Sequence, residues 1–249
     1  AFLPPQAPWA RAITPWTLRS ARQFRPEPPP DLDSHKWIRD YNEAKALGPA
    51  TDSARTAEQT DIGLFWADQP MLQWNRAWRG ISAGAGLSVL ENARLFAMLS
   101  SASSDALIAC WDAKYRYMFW RPVTAIRAGG GNAELEGDPD WLGLVPSPNH
   151  PEYPAAHGCF SAASVETLND FFETVRLTFT ITSNVPGVTT PVHTYTSLSQ
   201  ALQEVLDARI YGGMHYRNST HKGAILGKQV SHFATRHFFR PRHCDSPEE

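Results

Sequence analysis

Cysteine is scarce in this chain: Cys110, Cys159 and Cys244 are the only three in 249 residues. Their scatter matches neither a disulfide framework nor a zinc site and leaves the redox compartment open. Long apolar runs are also missing. Nothing approaches the ~20 consecutive apolar residues of a membrane helix, so the chain reads as soluble with no membrane partner. An excess of basic charge is absent as well. With 23 Lys and Arg against 25 Asp and Glu, the net charge is -2, which argues against a general nucleic-acid binder. No signal-peptide pattern is present. A start at "AFLPPQAPW", without Met, fits N-terminal processing, secretion or a longer parent chain.

What is present describes a helical protein. Hydrophobic residues make up 42% and charged residues 19%, the balance of an ordinary globular domain. Residues 1–30 are rich in Pro, Trp and Arg without helical period. They read as an extended arm whose aromatics pack onto something, including surface that the chain itself does not supply. "DLDSHKWIRDYNEAKALG" predicts a helix capped by Asp33 or Ser34 and stopped by Gly48. A second helix is predicted from a Ser/Asp cap near residue 53 to Pro70. In residues 88–120 the small-residue patch "SSASSDA" either divides two helices or marks a close helix crossing. Residues 157–173, 197–214 and 219–238 make three further helical candidates, and "VRLTFTITSNVPG" is the best strand. The expected fold is mainly α: residues 31–240 form a helical domain with Pro-rich loops, and residues 241–249 a polar tail.

Three segments concentrate cations and imidazoles beside aromatics. In "WDAKYRYMFWRPVTAIR", Lys114 and Arg121 are seven residues apart, two turns if helical, and Pro122 would end or redirect that helix. In "PSPNHPEYPAAHG", a proline-rich approach delivers His157. In "ARIYGGMHYRNS", Arg209 and His215 flank Gly212 and Gly213, a pair that breaks a helix or lets backbone approach closely. Converging, Lys114, Arg121 and Arg209 would suit a multiply charged oxyanion. Two histidines beside it could bond its central atom and move protons. His193, His221, His232, His237 and His243 read as surface or structural, and Trp9, Trp16, Trp37, Trp74 and Trp78 as packing residues.

In this order and spacing the segments resemble the signature of the vanadium-dependent haloperoxidases and type 2 phosphatidic acid phosphatases. That signature is Lys, six residues, Arg-Pro; then Pro-Ser-Gly-His; then Ser-Arg, five residues, His, three residues, Asp. Here it reads Lys114-YRYMFW-Arg121-Pro122, then Pro154-Ala155-Ala156-His157, then Ala208-Arg209-IYGGM-His215-YRN-Ser219. The resemblance implies a helical bundle of that type, in its soluble haloperoxidase-like branch. It implies that Lys114, Arg121, Arg209 and the Ala156 backbone N–H hold vanadate, or phosphate in the same pocket. It makes His215 the vanadium ligand or phosphoryl nucleophile, His157 the acid–base group, Lys114 a catalytic cation, and Trp111 and His150 pocket residues. His150 leans toward bromide. Asp68 is expected to line the pocket and buttress an arginine.

The implied activity is halide oxidation with hydrogen peroxide, passing the oxidised halogen to a small organic acceptor. The alternatives are a soluble acid phosphatase and a non-catalytic anion-binding member. Ala155, Ala156 and Ser219 depart from the signature Ser, Gly and Asp. The relationship also implies a further helical section before the matched part, supplied by a second chain or a missing N-terminal segment. Homo-oligomerisation is left open.

Overall fold

The computed structural model describes residues 4–239, and the expected polar tail lies outside the described residues. Eight α-helices are described: α1 His35–Leu47, α2 Ala57–Phe65, α3 Pro70–Gly84, α4 Val89–Tyr117, α5 Pro122–Arg127, α6 Ala156–Phe172, α7 Leu198–Tyr211 and α8 Arg217–Phe238. Two strands, β1 Phe179–Thr182 and β2 Val192–Tyr195, pair antiparallel with Phe179 opposite Tyr195. The fold is the expected mainly helical bundle. No helix among the described residues is long and apolar enough to cross a membrane.

Local signals explain most boundaries. Ser34 caps α1 by accepting the Trp37 N–H, and Gly48 ends it. The cap of α2 is Thr56, which forms a capping box with Gln59, so the Ser/Asp cap expected near residue 53 is not used. Pro70 does not merely end a helix. It occupies the first turn of α3, where its missing N–H costs nothing, and α3 was not expected from the sequence.

The patch "SSASSDA" does not divide α4, which runs unbroken for 29 residues. It marks a close crossing: Ala102 and Ala106 are fully buried, and Ser103 Oγ lies 3.3 Å from Ser164 Oγ on α6. Buried Asp105, also in this patch, accepts the backbone N–H groups of Trp16 and Thr17 at 2.7 Å each and the Thr17 hydroxyl at 2.6 Å. One carboxylate thus ties the N-terminal arm to the bundle. The arm contains a 3₁₀ turn at Pro8–Ala12. Of the tryptophans read as packing residues, Trp37, Trp74 and Trp78 are buried, but Trp9 and Trp16 are 66% and 74% exposed. Those two correct the expectation, because the arm lies on the outside and buries Leu18 rather than either indole.

The central contact is between α6 and α8, and it is made backbone to backbone. A Cβ at Gly223 would lie 2.5 Å from the Ala155 carbonyl oxygen, and one at Gly158 2.8 Å from that of Thr220. Gly227 has no room either: a Cβ there would overlap the Cys159 carbonyl and stand 2.9 Å from Ala163 N. This crossing joins the start of α6, which carries His157, to the start of α8, immediately after His215.

Candidate active site

Lys114 lies in the last turn of α4, but Arg121 does not share that helix. The helix ends at Tyr117 with Met118 left-handed, and Arg121 is the extended N-cap of α5, at φ -74 and ψ 156. Pro122 imposes this correction. It disfavours helical geometry at the residue before it and serves as the first residue of the next helix. Arg209 sits in the last turn of α7. Beyond it, Gly212 closes the helix and Gly213, at φ +71, approaches Gly48 and Gly143. The close approach of this glycine pair is to backbone, and it turns the chain so that His215 follows within a few residues.

All three cations are buried. Lys114 Nζ donates to the carbonyls of Pro151 and Glu152 at 2.8 and 2.9 Å. Arg121 donates from Nε to His150 O at 3.1 Å and from Nη1 to Met214 O at 2.8 Å. Its Nη1 and Nη2 each lie 3.1 Å from a histidine nitrogen, Nε2 of His215 and Nδ1 of His150. Arg209 donates to Trp66 O and to Met214 Sδ, while its Nε has no partner. No described carboxylate forms an ion pair with Lys114, Arg121 or Arg209.

Burial without a paired anion shows in the acidities. It pulls Lys114 down to about 8, Arg209 to about 9 and Arg121 to about 10. His150 falls to about 2, and His157 and His215 lie well below the usual imidazole value, first through burial and then through the neighbouring cations. The histidines are neutral, and the fixed charge of the site is cationic. One buried acid offsets part of it. Glu152, pushed up to about 7 by burial, stands with Oε1 at 2.7 Å from His215 Nδ1 and also accepts the Tyr216 N–H at 3.1 Å.

A cavity of about 740 Å³ opens onto this cluster. Its lining includes Asp68, Trp111, His150, Ala156, His157, Arg209 and His215, while Lys114 and Arg121 stand behind the wall. Trp111 carries the His150 ring at 5.0 Å between centroids and the Lys114 ammonium at 5.9 Å. Ala155 is the N-cap of α6 and supplies no side-chain hydrogen bond, so the first N–H groups of the helix, beginning at Ala156, lack a side-chain acceptor. Asp68 lines the cavity but does not buttress a cradle arginine; its carboxylate pairs with Arg76. The Asp68 carbonyl lies 3.4 Å from His157 Nε2.

Two participants were missed from the sequence, Glu152 and Met214. Glu152 sits in the quoted "PEYP" as the only acid of that approach, which was the available signal. Its target is 63 residues away, so no local spacing reveals it.

The state of Lys114 gives a pH prediction. Phosphate keeps its dianionic charge above neutrality, so its affinity should report the cradle. Lys114 is charged below about pH 8 and loses its proton above it. Phosphate binding, measured calorimetrically from about pH 7 to about pH 9.5, is expected to weaken by about tenfold, ~1.4 kcal/mol. Stability without anion should move the other way. Between the folded value of about 8 and the unfolded ~10.4 the unfolded chain binds more protons, so Lys114 contributes stability that rises with pH. Lys114→Met should reduce the pH dependence of both, leaving the part that comes from Glu152 and Arg209; profiles that the substitution leaves unchanged would contradict the assignment.

Known proteins carry the same arrangement of helices. The sequence model of the VCPO second helical-bundle domain matches residues 94–243. A vanadium chloroperoxidase of Curvularia inaequalis is 27% identical over 199 residues, 67% of this chain and 32% of that protein. The crystal structure of a bacterial vanadium-dependent iodoperoxidase superposes with a TM-score of 0.83 at 27% identity, over 94% of this chain and 58% of the other. An apo-type bacterial vanadium-dependent chloroperoxidase shares the fold, with a TM-score of 0.77 at 19% identity over 93% of this chain and 55% of the other. The chain therefore spans about a third of the curated relative's length and somewhat over half of the solved ones. With the family match covering more than half of its residues, the chain belongs to the vanadium haloperoxidase family.

Proposed function

We propose that this chain carries the oxyanion site of a vanadate-dependent haloperoxidase, which oxidises halide with hydrogen peroxide and delivers the oxidised halogen to a small organic acceptor. The observation that carries this reading is a set of three buried cations with no ion-paired carboxylate, one of them with an orphaned N–H. A tetrahedral oxyanion such as vanadate or phosphate is the group these residues fit. The free Nε of Arg209 and the uncapped N-terminus of α6 offer it donors, and Lys114 and Arg121 offer it field. When bound, vanadate supplies a Lewis-acidic centre that activates peroxide toward halide.

The chain's own residues do the rest. His215 presents Nε2 as its basic atom, because Arg121 Nη1, which can only donate, lies 3.1 Å from it. In this reading His215 is the ligand to the oxyanion, the Ala156 N–H donates to it, and neutral His157 on the cavity wall takes or returns a proton. Lys114 and Arg121 bind charge that develops on the anion. Apolar walls from Trp78, Leu107, Ile108 and Phe160 suit an organic acceptor and exclude water. His150 on Trp111 is the proposed halide-side residue, with bromide favoured. Exposed Trp9 and Trp16 support the proposal that the arm meets a surface beyond this chain.

A second reading has one observation in its favour. A histidine held by a carboxylate, with its far nitrogen unprotonated, also suits a phosphoryl nucleophile, so an acid phosphatase would use the same pocket.

The test is bromination of a dimedone-type reporter with peroxide and bromide, before and after incubation with orthovanadate. Turnover that appears only with vanadate supports the haloperoxidase reading. Hydrolysis of p-nitrophenyl phosphate in its place supports the phosphatase. Failure of both, with phosphate still bound, would identify a non-catalytic anion-binding member.

A further inference from the structure

We propose that Glu152 is the positioning residue of His215, and that it supplies from the loop before α6 the carboxylate for which this chain has Ser219 on α8. The proposal rests on the reading of His215 as the group that bonds the oxyanion. At position 219, four residues after His215 and in the first turn of α8, the resembled signature has an aspartate; here Ser219 is buried, and its hydroxyl faces the Glu152 carboxylate and favours its charged form. The charge is present at the site all the same. Glu152 Oε1 lies 2.7 Å from His215 Nδ1, and both side chains are almost completely buried.

The geometry defines what Glu152 does. The guanidinium of Arg121 at His215 Nε2 can only donate, so Nε2 has no hydrogen and the imidazole proton is on Nδ1. Nδ1–H therefore donates to Glu152, which holds the tautomer whose Nε2 carries no proton and keeps its lone pair. Glu152 is itself held at three further points. Its N–H donates to Phe119 O at 2.9 Å, its carbonyl accepts Lys114 Nζ at 2.9 Å, and its Oε1 accepts the Tyr216 N–H at 3.1 Å. Such clamping sets the direction of the carboxylate, and through it the plane of the imidazole. Two carboxylates would repel in this buried volume, so a serine at position 219 and a glutamate at position 152 belong together.

A carboxylate that only balances charge and one that orients His215 predict opposite results. Removing a negative charge should by itself tighten every anion. Removing the orienting group should weaken only the anion that bonds Nε2. Vanadate accepts that bond, whereas phosphate at equilibrium uses the charged cradle alone.

Orthovanadate and phosphate affinities are therefore to be measured by calorimetry for wild type, E152A, E152Q and E152A/S219D. The His215 tautomer is to be read from imidazole ¹⁵N shifts in the absence of anion. E152A is expected to lose about 10- to 100-fold in vanadate affinity with phosphate unchanged or tighter, and its tautomer should shift from Nδ1–H. E152Q, an acceptor without charge, should lose less, and it guards against a fold too damaged to read. S219D in the E152A background should restore both the vanadate preference and the tautomer. Equal losses for both anions, or an unchanged tautomer in E152A and E152Q, would overturn the positioning role. A wild-type chain with the Nδ1–H tautomer that binds neither anion would overturn the oxyanion reading, and with it this proposal. The tautomer arm separates that failure from the first.

Discussion

Replacing Arg209 with methionine is expected to reduce phosphate and vanadate affinity by about 100-fold or more, ~2.7 kcal/mol, while leaving the anion-free chain at least as stable. The affinity loss follows from the orphaned donor on the three cations, the buried Nε of Arg209, a residue that lines the cavity. The stability expectation runs against the usual cost of a core substitution. Arg209 is 2% exposed, has no ion-paired carboxylate, and is held down to about 9 by burial with Arg121 nearby. Desolvating such a cation costs several kcal/mol, and an apolar residue of similar length avoids that cost. Against it stands the loss of the donor to Trp66 O, about 1–3 kcal/mol, so the desolvation term prevails. Urea unfolding with and without phosphate decides the matter. Wild type should gain stability from phosphate by mass action, and the variant should gain none. A variant that loses stability yet keeps the phosphate shift would show Arg209 to be structural.

Gly227→Ala is expected to destabilise the chain by about 2 kcal/mol and to weaken phosphate binding although residue 227 touches no part of the cavity. Alanine is the better helix former, worth about 1 kcal/mol in an open helix. At this position the added methyl meets the Cys159 carbonyl and Ala163 N, which are backbone atoms of α6 and cannot rotate away. Overpacking of about 3 kcal/mol therefore exceeds the propensity gain. Its relief requires α8 to move from α6, and those two helices set the separation of His215 from His157. Unfolding in urea, together with phosphate titration, reads both effects. Gly80→Ala, on α3 with nothing within 4 Å of the added methyl, is the control and should be neutral or slightly stabilising.

Much of the helical frame was legible because its signals are local. Ser34 and Gly48 bound α1 through hydrogen bonds to neighbours a few residues away, and α6, α7 and α8 fall close to their expected spans. Where one residue type serves two purposes, sequence reasoning chose one. Pro70 and Pro122 signal helix stops in the sequence, and in the structure each is also a helix start. The serine and alanine patch of α4 left a break and a crossing equally open, because small residues suit both until a partner helix is in place.

The chain's own order of motifs determined that Lys114, Arg121, Arg209, His157 and His215 are the residues of interest, since their spacing survives in one dimension. Tertiary structure alone decided how they are used. It set Lys114 and Arg121 on separate elements behind the cavity wall, turned Asp68 to Arg76, and put Glu152 against His215. The physical reason is that burial and pairing are properties of space and not of spacing. A carboxylate acts on the imidazole it touches, and here the two meet only because Gly158, Gly223 and Gly227 let α6 and α8 close.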